Sequence, residues 1–196
     1  MSEKPAATSY PVHELIRRRW SPRAFAERPV EREKIGSLLE AARWAASSRN
    51  EQPWRFLVAA RGSPARERLW ETLADGNKPW AAGAPLLILV CANLQSGDGS
   101  PNRLAQYDCG QAVAALTLQA LELDLWVHQM AGFSVERARN TFAVPAPFEP
   151  LCVLAVGYYG DPSQLPDQRR QQEAGPRSRK PLDQLAFDGA WDAGFR

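Results

Sequence analysis

The chain has 196 residues, of which 44% are hydrophobic and 23% charged, values that exclude a mainly disordered chain and a tail protein of one charge sign. A chain of that length can bury a substantial core in one domain. The formal charge of +2 says little about partners.

The start, residues 1–11, lacks an apolar signal core. The longest apolar run, residues 84–92, falls well short of the roughly twenty residues of a bilayer span. A soluble, cytoplasmic protein with no membrane partner is the expectation. Cys91, Cys109 and Cys152 have no metal or disulfide spacing and sit among apolar residues, so they read as buried small hydrophobes.

In chain order, Pro11 suits the first turn of a helix running to Arg19, with Val12, Leu15 and Ile16 at helical spacing. Ile35, Leu38, Leu39 and Ala42 predict a second helix over about 31–46. Residues 54–60 read as a strand, and Ser63-Pro64 opens a third helix. Residues 85–92 form a continuous apolar run with β-branched members, the pattern of a central strand. The helix predicted over 104–123 is apolar on most faces, which places it centrally or at a subunit interface. Residues 125–128 are a short strand candidate, Ser134 caps a short helix, and residues 151–158 form another buried strand. The polar segment 161–181 reads as extended or partly mobile, with a final strand at Leu185–Phe187. These elements predict one α/β or α+β domain with a C-terminal arm.

Several chemical signatures are absent. No GxGxxG or GxxxxGK[ST] marks a nucleotide loop, and no GxSxG marks a nucleophile elbow. His13 and His128 stand apart, so no metal site is expected. Two basic clusters remain: Arg17, Arg18, Arg19 and Arg23, and Arg169, Arg170, Arg177, Arg179 and Lys180. Nucleic-acid binding and a solvated face are both open for them, although neither carries a nucleic-acid motif. If residues 19–23 are extended, Arg19, Ser21 and Arg23 point one way, giving two guanidiniums and a hydroxyl suited to phosphate. Residues 47–54, SSRNEQPW, form a polar loop able to hydrogen-bond a planar heteroaromatic ligand, or a plain turn.

These two motifs, in this order and about 25 residues apart, resemble the nitroreductase family of FMN flavoproteins. The resemblance extends through ADGNKPWAAGAP at 74–85, residues 107–133, FEPLCVLAVGY at 148–158 and the tail that begins GPRSRKPLDQ at 175. It implies an α+β, nitroreductase-like three-layer sandwich, with helices flanking a mixed, mainly antiparallel central sheet. It also implies a homodimer with FMN at the subunit interface, and an arm from about residue 161 that crosses to the partner. Arg19, Trp20, Ser21 and Arg23 match contacts to the FMN phosphate and ribityl chain, with Trp20 contributing its backbone. Ser47, Ser48, Asn50 and Gln52 match a segment that reaches FMN across the interface. Asn77 and Trp80 fall near the ring edge; Met130, Ala131 and Gly132 match the loop facing flavin N5; Arg177 and Arg179 match tail cations. Trp80, His128 and Phe133 are the candidate substrate-pocket residues; core roles for Trp80 and His128, a gap-filling role for Met130, and Lys180 in place of Arg177 or Arg179 are the alternatives.

The implied activity is an NAD(P)H-dependent oxidoreductase. Hydride passes from NADH or NADPH through flavin N5 to a nitroaromatic, a quinone or a related small aromatic acceptor. No side-chain catalyst is evident, and protons come from solvent. A non-catalytic FMN-binding storage or sensing protein is the alternative. Nucleic acid is not an expected partner.

Overall fold

The computed structural model describes residues 4–195. A short helix α1 (Glu14–Arg18) is capped by His13, whose Nδ1 accepts from the Leu15 amide. Helix α2 (Arg32–Arg43) follows, then a 3₁₀ turn at Ser48–Asn50, strand β1 (Trp54–Ala60) and helix α3 (Pro64–Glu71). Helix α4 (Lys78–Ala81) leads into strand β2 (Leu86–Asn93). Helix α5 (Ala105–Glu122), strand β3 (Trp126–Met130), helix α6 (Val135–Phe142) and strand β4 (Phe148–Gly157) complete the body. Helix α7 (Asp167–Ala174) lies in the tail.

The strands form one sheet in the order β1-β2-β4-β3, antiparallel at every pairing. β2 is buried on both faces, which is why it reads as an unbroken apolar run. Leu87, Leu89 and Cys91 pack with Leu69 of α3, Trp80 of α4 and Ala138 of α6. Leu86, Ile88 and Val90 pack with Leu38 and Ala42 of α2 and with Ala112, Val113 and Leu116 of α5. Helices therefore cover both faces, and the molecule is the three-layer α+β sandwich expected. The expected parallel component is not among the described strands. Opposite Val90 and Cys91 the register skips from Cys152 to Pro150, a bulge that accommodates a residue with no amide hydrogen.

The caps at Ser63 and Ser134 form as the sequence indicates: each hydroxyl accepts from the amide three residues on, Arg66 and Arg137. Other expectations need correction. Pro11 lies outside α1, which His13 starts instead. The segment 161–181 contains helix α7 rather than only extended chain. Leu185–Phe187 is no strand; a 3₁₀ turn at Leu182–Gln184 precedes it, and Phe187 makes an isolated bridge to Gly194. α5 is apolar nearly all round, yet Tyr107, Gly110 and Ala114 remain exposed along one side. Cys91 and Cys109 are buried, Cys152 is half-buried, and all three thiols are free.

Candidate functional site

The basic loop after α1 is held at the β3–β4 edge of the sheet. Phe25 bridges Tyr159, and the Ala26 amide donates to the Tyr158 carbonyl, 2.9 Å away. From β3, His128 Nδ1 lies 2.9 Å from the Pro22 carbonyl oxygen. A carbonyl only accepts, so this contact places a hydrogen on Nδ1. Burial pushes the His128 pKa down to about 4, and the cations Arg23 and Arg169 add to that effect against the carbonyls of Pro22 and Ser21. The ring is therefore neutral at pH 7, its centroid 4.5 Å from that of Trp80 and tilted 43° to it.

Arg19 donates to Ser21 Oγ at 3.3 Å. Burial, then the nearby Arg179, lowers the Arg19 pKa, while burial and Arg169 lower that of Arg23. Arg23 Nε is buried without a hydrogen-bond partner. From the tail, Arg177 donates to the carbonyls of Lys4 and Arg17 at 2.6 and 2.8 Å. The structure thus brings Arg19, Ser21, Arg23, Arg177 and Arg179 into one concentration of positive charge. A groove of about 550 Å³ adjoins it, between Ala6, Tyr10 and Val12 on one side and Arg177, Arg179 and Leu185 on the other.

The loop after β3 is tied to the α3–α4 connection. Asn77 Nδ2 donates to the Gly132 carbonyl at 3.0 Å, and the Ala74 amide donates to the same oxygen at 2.9 Å. A Cβ on Gly132 would stand 2.6 Å from Asn77 Nδ2, so a larger residue there would push the Asn77 side chain out of its present place. The Met130 side chain is buried in the core, and Ala131 is exposed. Phe133 is half-buried, opposite Leu73.

Two further candidates belong, like Met130, to the core. Trp20 packs edge-on against Trp126 and Tyr159, each 5.6 Å away. Trp80 is 2% exposed, with Phe25 and His128 beside its ring.

The segment 47–52 lies elsewhere. The Ser48 amide donates to Asp108 of α5 at 3.0 Å, and the Gly97 amide donates to Glu51 at 3.0 Å. Ser47 Oγ accepts from the Gln52 amide, and Gln52 Nε2 donates to the Asn50 carbonyl. Arg49, Asn50 and Gln52 have φ of 52°, 55° and 46°, a left-handed backbone that costs each non-glycine residue about 1 kcal/mol or more. This strained loop enters β1 at Trp54, which pairs with Ala92, whereas the basic loop sits beside Tyr159, past the far end of β4. Within one chain the two motifs occupy opposite ends of the sheet.

Sequence reasoning missed Glu173, Lys4 and the placing of Arg169. The Glu173 carboxylate is 2% exposed and accepts from the amides of Arg23 and Ala24, contacts spanning 150 and 149 positions. Nothing local in the sequence marks them. Arg169 stood in the second basic cluster, without a partner to assign it.

Among the described residues, no group of three or more His, Cys, Asp or Glu is placed to hold a metal ion. No helix among them is long and apolar enough to cross a membrane.

The fold agrees with comparison to known proteins. The sequence model of the nitroreductase family matches residues 16–79 and 71–158. A Methanothermobacter thermautotrophicus protein, provisionally named NADH dehydrogenase/NAD(P)H nitroreductase, is 31% identical, the match covering 81% of each chain. The solved structure of an FMN-containing oxidoreductase is 35% identical and superposes with a TM-score of 0.90 over 94% of this chain and 95% of that one. A nitroreductase-type protein from Desulfovibrio desulfuricans, solved in complex with FMN, is 28% identical with a TM-score of 0.70 over 94% and 99%. The chain belongs to the nitroreductase family.

Proposed function

We propose that this protein is an FMN-dependent oxidoreductase that works as a homodimer. The observation that carries the reading is the half-buried trio of Arg19, Arg23 and Arg177, flanked by the exposed Arg179, where Arg23 Nε is buried without a partner. Desolvated guanidiniums crowded together call for an anion, and a phosphate monoester supplies charge and several acceptor oxygens at once. The donor set therefore fits the phosphate end of FMN. Ser21 adds a neutral donor beside Arg19.

The Met130–Gly132 loop would meet the ring through its backbone, because the Met130 side chain is buried. An amide hydrogen there, at Ala131 or Gly132, would donate to N5. Asn77 fixes that loop by bonding the Gly132 carbonyl. FMN supplies the hydride chemistry, carrying reducing equivalents from NADH or NADPH to a nitroaromatic, quinone or related aromatic acceptor.

The opposed placing of the two motifs supports the dimer. One ligand that touches both the basic loop and the strained 47–52 loop takes them from different subunits. The exposed row Tyr107, Gly110 and Ala114 on α5 offers a close-packing face. The chain as far as Arg177 is held by its own subunit, so the arm that crosses would begin beyond it.

Anaerobic titration of the purified protein with NADH and then NADPH tests the reading. Bleaching of the flavin band near roughly 450 nm is the expected result. A yellow protein that neither nucleotide bleaches would instead be a flavin-storage or sensing protein.

A further inference from the structure

Helix α7 lies beyond residue 158, where the family match ends. It has eight residues, DQRRQQEA, and among them only Glu173 is buried. A helix so short does not persist by propensity alone, and this one has no apolar face to dock. Polar contacts at its two ends hold it in place.

At one end, Glu173 Oε1 accepts from the amides of Arg23 and Ala24 at 3.0 and 3.2 Å, and Oε2 accepts from Arg23 at 3.0 Å. Two successive amides turned toward one carboxylate form a concave anion nest. Lys4 Nζ donates to the backbone carbonyls of Glu173 and Gly175, which binds the N-terminal segment into the same knot. At the other end, Arg169 donates to the Gly76 carbonyl at 2.7 Å, next to Asn77. Helix α7 thus spans from the basic loop to the loop that fixes Gly132.

We propose that Glu173 is a clasp: a positioning residue that fixes the Arg23–Ala24 backbone and brings the tail cations Arg177 and Arg179 over the phosphate site, with Arg169 as the second fastening. The proposal rests on the flavin reading above. It assigns to the tail helix the duty of shaping the phosphate end of the site. The Glu173 charge also offsets Lys4 and Arg23, which would otherwise repel each other and Arg177.

Glu173→Gln keeps the shape but removes the charge and, with its oxygen in the Oε1 place, sets an amide NH₂ against the Arg23 N–H, donor against donor. Titration of the apoprotein with FMN and with riboflavin, followed by fluorescence, separates the clasp from a general structural role, since riboflavin lacks the phosphate. The FMN Kd should rise about tenfold or more, the size of a lost charged hydrogen bond, while the riboflavin Kd changes little. Amide exchange at Arg23, Ala24 and residues 167–177 of the flavin-free protein should rise in parallel. An unchanged FMN Kd, or equal weakening of FMN and riboflavin, overturns the clasp. If the wild-type protein binds no flavin, the flavin reading fails on its own, and unchanged exchange at Arg23 and Ala24 overturns the clasp separately. Should Glu173→Gln not fold, Arg169→Gln is read the same way, through exchange over 167–177.

Discussion

At the scale of single residues, desolvation decides what each side chain can do. Arg19 and Arg23 carry charge into a half-buried place crowded with like charge, an arrangement that calls for an anionic partner. Replacing both with alanine removes charge-assisted hydrogen bonds of about 1.5–3 kcal/mol each. FMN affinity should fall by about a hundredfold or more, measured by fluorescence titration. Unchanged flavin content after dialysis would reject the phosphate assignment. His128 makes a second prediction. Its pKa is about 4 when folded and about 6.5 when unfolded, so the unfolded state takes up its proton first as pH falls. The stability conferred by the neutral ring is complete above about pH 6.5 and is lost progressively down to about pH 4. The difference in Tm between the wild type and His128→Gln should shrink over that window. A difference independent of pH would show that the ring is not held neutral.

At the scale of elements, the turns are closed by cations as much as by apolar packing. Arg66 of α3 is 3% exposed and donates to the carbonyls of Ala81, Ala82 and Ala84 at 2.8, 3.0 and 3.0 Å. It closes the C-terminal end of α4, and so orients the α4–β2 corner that carries Trp80. Arg66→Met should leave those acceptors unsatisfied and destabilise the fold by about 2–4 kcal/mol, read as a lower urea midpoint at unchanged slope. A midpoint equal to that of the wild type would mean that water replaces the guanidinium without loss. The 47–52 loop shows the opposite economy. Its left-handed residues are strained, and the bonds to Asp108 and Ser47 hold them there, as expected where a backbone is shaped for a ligand.

For the whole molecule, the proposed dimer assigns assembly to the tail. Truncation after Pro162 removes Glu173, Arg177 and Arg179 together with the segment proposed to reach the partner. Sedimentation and absorbance should show loss of both the dimer and bound flavin. A folded, flavin-loaded dimer from that truncation would show that the tail serves neither. The exposed aromatic end is consistent with a segment made to be covered: Trp191 is 83% exposed, with the Phe187 ring 4.9 Å away.

The body of the fold was legible in the residues themselves. The β2 run, the Ser63 and Ser134 caps and the spacing of α2 are local signals, because burial on both faces, an orphan amide and a helical stripe each impose a pattern within a few positions. The approach of Arg19 to Ser21 was legible for the same reason, whereas the phosphate role of that loop belongs to the proposal. The sequence could not reveal α7, whose polar residues follow no apolar period and whose anchor joins Glu173 to a loop 150 positions away. Nor could it show that Trp20 and Trp80 are core residues, or that the basic loop and the 47–52 loop stand at opposite ends of the sheet. Such facts depend on which distant surfaces meet once the layers close. Local patterning set the elements, whereas tertiary contact decided which charges are buried, which are paired and where the cavity lies between them.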